Sequence, residues 1–152
     1  MVNIIHKVGI KAPLATVYQA LATVKGIASW WIEDVEGVSE PGGHIDIHFG
    51  APSGERKGSM RMEVVVLEPD KTVHWRIRTG PDQWVGTEVA FKLHRDGDYS
   101  IVMFSHRNWR EENEFMGHCS TKWAVFMLSL KELAETGKGK PAPHDVKIDN
   151  WN

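Results

Sequence analysis

The sequence predicts an α+β fold: a curved antiparallel sheet of about six strands wrapped around one long C-terminal helix, with two short helices after the first strand. Three observations predict it. Five alternating segments in the middle of the chain are separated only by short turn sequences. Two helical patterns follow the first strand, and an apolar stripe at helical spacing runs through residues 116–133. Short links join antiparallel neighbours, because a parallel pair needs a crossover of roughly a dozen residues or more.

Taken in order, "NIIHKVGIK" alternates as a strand, with Ile5 facing one way and Ile4 and His6 the other. Pro13 stops it and suits the first turn of a helix, and "PLATVYQALATV" follows with Val17, Leu21 and Val24 at helical spacing. After an interruption at Gly26, "KGIASWW" reads as a second short helix that ends on two tryptophans. The strands "GGHIDIHFG", "GSMRMEVVVLEP", "KTVHWRIRT", "WVGTEVAFKLHR" and "DYSIVMFSHR" come next. Alternation places Ile45, Ile47, Phe49, Val73, Trp75 and Ile77 on the dry face. Val89, Phe91, Leu93, Val102, Phe104 and His106 share it, while His44, Asp46, His48, His74, Arg76 and Glu88 face water. The run Val64–Leu67 breaks the alternation and predicts a bulge.

The segment "REENEFMGHCSTKWAVFMLSLKELAETGKG" predicts the long helix. Met116, Cys119, Trp123, Phe126 or Met127, Leu130 and Leu133 form its stripe. Glu111, Glu112 and Glu114 suit the positive end of the helix dipole, and Gly137 suits a C-terminal cap. About 25 residues span roughly 37 Å, enough to lie along a ten-residue strand of roughly 33 Å. The tail "KGKPAPHDVKIDNWN" reads as an extended arm, so the chain divides into one domain over 1–152, with a core at 1–137 and the arm at 138–152.

Composition narrows the function classes. Lys plus Arg 18 against Asp plus Glu 20 gives a charge of -2, without the basic footprint of a nucleic-acid binder. One Cys excludes an internal disulfide, and "MVNIIHKVGIKAP" turns polar too early for a signal peptide or a membrane span, so the chain reads as cytoplasmic. Seven tryptophans against two tyrosines is the unusual feature, and it fits either a Trp-rich core or a cavity with a wet edge.

The stretches "APLATVYQALATVKGIASWW", "GGHIDIHFG", "VVVLEPDKTVHWRI", "WVGTEVAFKL", "IVMFSHRNW" and "CSTKWAVFMLSLKELAETGKGKP" resemble the START-like (SRPBCC) superfamily. Within it they resemble the proteins named after the activator of the heat-shock protein 90 ATPase, over nearly the whole chain and in the same order. The resemblance implies a helix-grip fold, as in birch-pollen-allergen-like proteins, with a cavity between sheet and helix for a mostly apolar small molecule. Its members include lipid and hormone carriers, polyketide aromatases and cyclases, and oxygenase domains. The cochaperone name belongs to a branch in which this domain is part of a longer chain.

On that reading Trp30, Trp31, Phe49, Trp75, Ile77, Trp84, Phe91, Phe104, Met116 and Trp123 wall a pocket, Cys119 faces it, and His106 is its polar anchor. The same side chains could instead meet in a filled core, and packing density decides between the two. Burial would keep His106 neutral, able to donate and to accept. Were the protein an enzyme, His106 would be its acid or base, with Glu114 as a second polar group or Cys119 as a nucleophile. His44, Asp46 and His48 share a strand face, but the outer two lie roughly 13 Å apart at strand rise, and no spacing resembles a zinc signature. No metal or other cofactor is therefore expected.

The function expected is binding of an apolar or amphipathic molecule, lipid-like or polycyclic, in the internal cavity. An aromatase, cyclase or hydrolase on the same scaffold is the alternative, and a chaperone-associated interaction protein is the third class. The expected partner is the small ligand; a weak homodimer and a chaperone partner are further expectations to test.

Overall fold

The computed structural model describes residues 1–152. Its elements run β1 (Val2–Ile10), α1 (Leu14–Ala22), α2 (Val24–Trp30), β2 (Val35–Gly37), β3 (His44–Gly50), β4 (Arg56–Glu68), β5 (Thr72–Thr79), β6 (Glu88–Asp96), β7 (Tyr99–Trp109) and α3 (Glu114–Thr136). The seven strands form one antiparallel sheet in the order β1-β7-β6-β5-β4-β3-β2. All links from β2 to β7 join neighbours, and β1 closes on β7 with His6 opposite Phe104 and Ile10 opposite Ser100.

The predicted dry face is the buried one. Ile45, Ile47, Val73, Trp75, Ile77, Val89, Phe91, Val102, Phe104 and His106 are all buried, and only Phe49 keeps partial exposure near the sheet's end. The register shift between Val64 and Val66 confirms the bulge. Before it Val64 pairs with Trp75 on the inner face; after it Leu67 pairs with Val73 on that face and Val66 with His74 on the outer one. One extra residue thus swaps which parity of β4 faces the core.

Four details depart from expectation. The strand at Val35–Gly37 makes seven strands instead of six; three residues are too few for alternation to register. The break between the short helices falls at Thr23, whose extended backbone ends α1 and whose side chain accepts from Gly26 N–H. Gly26 therefore lies inside α2, where a Cβ would come within 2.6 Å of the Ala20 backbone, so its role is close helix packing. Residues 81–86 form a turn instead of the start of β6, with Trp84 N–H donating to Pro81 O. The long helix starts late, because the Asn113 side chain accepts from Met116 N–H as its cap and leaves Glu111 and Glu112 outside.

The helix α3 lies across the concave face and turns Cys119, Trp123, Phe126, Met127 and Leu130 inward. His6 of β1 bonds the Ser120 carbonyl at 3.0 Å, and Lys131 donates to the Gly9 carbonyl. These two contacts fasten helix to edge strand. Ser129 Oγ donates to Trp30 O and accepts from Lys140 N–H, joining α3, α2 and the start of the tail. No helix is long and apolar enough to cross a membrane.

Candidate functional site

Most of the space between sheet and helix is filled by rings. Trp31 stacks on Trp75 at 5.8 Å and meets Trp123 at 5.0 Å; Trp123 meets Phe104 at 4.6 Å, and Phe91 lies against both Phe104 and Trp75. Such offset and edge contacts each add roughly 0.5–1.5 kcal/mol beyond area burial. At the other end, Trp84 stacks on Trp123, and Trp109 lies edge-on to Trp84.

A cavity of about 260 Å³ remains beyond the rings, partly open to solvent. Trp31, Ile32 and Phe49 wall it from the sheet side, and Pro81 and Trp84 from the turn before β6. The first half of α3 supplies Phe115, His118, Cys119, Lys122, Trp123 and Phe126. The tail closes the mouth with Ala142 and Asn152. At roughly 30 Å³ per water molecule, the space equals about nine waters, which suits one or two fused rings better than a large polycycle or a whole lipid.

Five of the twelve side chains expected at a pocket meet there: Trp31, Phe49, Trp84, Cys119 and Trp123. Trp30, Trp75, Ile77, Phe91, Phe104 and His106 lie behind them in the filled core. Met116 faces a separate surface groove beside Val2 and Ile4. Phe115, His118, Lys122 and Phe126 were legible as i, i+3, i+7 neighbours on one helix face, one step round from the stripe centre. Nothing in the tail's composition pointed to the cavity.

His106 is fully buried and both its ring nitrogens are occupied. The Trp123 indole N–H donates to Nδ1 at 3.1 Å, and Nε2 lies 2.7 Å from Thr87 Oγ1. An indole can only donate, so Nδ1 is the acceptor and Nε2 carries the proton. The Thr87 hydroxyl passes the chain on to the Trp84 carbonyl at 2.5 Å. Burial pushes the imidazole down to about 3. It is therefore a neutral brace tying α3, β7 and the 81–86 turn together, with no nitrogen left for a ligand. Burial also pushes the Cys119 thiol up to about 12, which keeps it protonated at neutral pH. Glu114 sits exposed on the first turn of α3, outside the cavity.

The tail is fastened over this end of the molecule. Ala142 N–H donates to Trp31 O at 2.7 Å, and Glu33 N–H donates to Ala142 O at 3.0 Å, forming a short parallel bridge. Lys122, on the cavity wall, donates to the buried Asp145 carboxylate and, at 2.9 Å, to Val146 O. Asp145 Oδ1 is buried without a partner, an arrangement that costs about 1–3 kcal/mol. One turn away, His118 Nδ1 lies 2.6 Å from Asp149, which it holds below the usual carboxylate range. Trp151 packs on His118 and Phe115.

The outer sheet face carries paired charges: Arg56 with Asp34, Arg61 with Asp46, and Arg78 with Glu63. The Arg61 guanidinium holds Asp46 below the ordinary range, while His48 bonds Glu36 and Ser59. The three side chains weighed as metal ligands, His44, Asp46 and His48, thus lie on a solvated ladder.

Residues 11–135 match the family model described as activator of Hsp90 ATPase homolog 1-like protein. The chain belongs to this family. The solution structure of the Aha1 dimer from Colwellia psychrerythraea is 44% identical in sequence, with a TM-score of 0.79 over 91% of this chain and 100% of that one. More distant chains share the fold. CalU16 from Micromonospora echinospora is 18% identical with a TM-score of 0.69, over 93% of this chain and 77% of that one. DynU16, a putative protein in the dynemicin biosynthetic locus, is 18% identical with a TM-score of 0.73, over 90% of this chain and 48% of that one. None of the curated proteins compared with the chain matches it.

Proposed function

We propose that the protein binds a small, flat, apolar or amphipathic molecule in the space between the first half of α3, the Trp84 turn and the tail. The observation that carries this reading is the cavity of about 260 Å³ with its aromatic wall, left open where the rest of the grip is packed with indoles. Displacing water from such a wall favours an apolar guest by about 25 cal/mol per Å² of apolar surface buried. The occupied nitrogens of His106 and the protonated Cys119 thiol favour a binder over an acid–base or thiol enzyme. A single buried thiol suits a reducing compartment, and we place the protein in the cytoplasm.

The test is a panel of one- and two-ring compounds read by tryptophan fluorescence and by melting temperature, with Cys119→Phe as the blocked variant. Ligand should change the emission of Trp84 and Trp123 and raise the melting temperature by mass action on the folded state. Cys119→Phe should fold and lose both effects. A panel that shifts neither signal, or a response that survives Cys119→Phe, contradicts the reading.

A second reading rests on the family and on the 44% identical relative described as a dimer. It makes this chain a homodimer that works with a heat-shock protein 90 chaperone through its outer surface. Light scattering across a concentration series and ATPase assays with the chaperone test it. A monomer at every concentration and an unchanged ATPase rate would remove it.

A further inference from the structure

Two basic side chains on the cavity wall lie one helical turn apart, Lys122 and His118, and both are met by acids of the tail, Asp145 and Asp149. The tail thus presents carboxylates where the cavity presents its cationic groups. The two contacts differ in quality. Asp149 is well satisfied, since it also accepts from Trp151 N–H at 2.9 Å and Asn152 N–H at 3.1 Å. Asp145 is not: one oxygen meets Lys122 and the other is buried without a partner. An ammonium has three hydrogens, and Lys122 directs two of them to Asp145 and Val146. A guest acid at the cavity wall would bond the same ammonium, and release of Asp145 to water would hydrate both its oxygens.

We propose that the cavity selects a planar ring compound bearing a carboxylate, whose acid group takes Lys122 in place of Asp145 and unfastens the tail from α3. The ring occupies the wall of Trp84, Trp123 and Phe115, and the acid faces Lys122. The tail is then a built-in competitor: its Asp145 fills the anion position when the cavity is empty and leaves it when the ligand arrives. This inference rests on the cavity reading above and adds the chemical class of the guest and the movement its binding causes.

The full-length protein is titrated with indole-3-acetate and with its uncharged counterpart indole-3-acetamide by calorimetry at neutral pH, while hydrogen exchange follows residues 141–149. A charge-assisted bond to Lys122 predicts that the acid binds roughly tenfold more tightly than the amide. Lys122→Met should bring the two affinities together. Asp145→Asn, which removes the competitor, should tighten the acid by roughly threefold and leave the amide unchanged. Exchange over 141–149 should rise with the acid and stay constant with the amide.

Equal affinities in the unaltered protein, an acid preference that survives Lys122→Met, or a tail whose exchange ignores saturating acid would each overturn the proposal. Should Lys122→Met fail to fold, the acid-to-amide ratio in Asp145→Asn and the exchange data decide alone. Equal binding of both probes sinks this inference and leaves the cavity reading standing. Binding of neither sinks the two together.

Discussion

At the scale of the residue, the most informative side chain is His106. Sequence alternation put an ionisable ring on an apolar face, and the fold answers by giving each nitrogen one partner of fixed polarity: Trp123 as donor and Thr87 as acceptor. Neither partner is near His106 in sequence, so no local pattern could have revealed them. The imidazole sits near 3 when folded against an ordinary 6.5, so between these values the unfolded chain binds more protons than the folded one. Stability is therefore complete above about pH 6.5 and falls with acid, by about 3 kcal/mol from this group alone at pH 4. Urea denaturation at several pH values should show that slope, and His106→Gln should flatten it. Identical slopes in the two proteins would contradict the account. Cys119, held as a thiol near 12, should resist thiol reagents at pH 8 in the native protein and react quickly in denaturant. Rapid native labelling would show that the site opens or that the thiol is not desolvated.

At the scale of the element, α3 is defined by its ends and its stripe. Asn113 caps the first turn and Gly137, at φ 91°, closes the last, with its N–H bonded to Leu133 O. Asn113→Ala and Gly137→Ala should each lower stability by about 1 kcal/mol, measured by chemical denaturation; no change in either would show that tertiary packing alone sets the ends. The stripe of Cys119, Trp123, Phe126 and Leu130 was legible because each turn of the helix repeats the demand for an apolar contact. The tail was not legible beyond its breakers, since its order comes from the bridge between Ala142 and Trp31 and from the pair Lys122–Asp145, contacts across more than twenty residues. Removing Lys122 leaves Asp145 buried and unpaired, and the cheapest escape is for the tail to swing into water. Hydrogen exchange of Lys122→Met should rise over 141–149 while β5–β7 remain protected; unchanged tail protection would mean that the ion pair does not fasten it.

At the scale of the whole molecule, one sheet face and one helix meet over a core dominated by tryptophan. The inward residues of β3, β5, β6 and β7 were readable because alternation fixes which face is dry, as Ile45, Trp75, Phe91 and Phe104 illustrate. The three-residue β2 was not, and neither was the position of the remaining space, because volume depends on how rings of known identity pack. Trp31 and Trp75 stack and close the centre, whereas Trp84 and Trp123 stack and leave room beyond them. The pocket expected along the whole groove therefore contracts to one end, and its wall includes Phe115 and Phe126 in place of Phe91 and Phe104. The central claim is that this end admits a guest. Nuclear Overhauser contacts between a bound two-ring ligand and assigned side chains test it directly. Contacts to Trp84, Phe115, Cys119 and Trp123, with none to Trp75 or Phe91, are the result predicted; a ligand that contacts only the outer sheet face, or none at all, would contradict it.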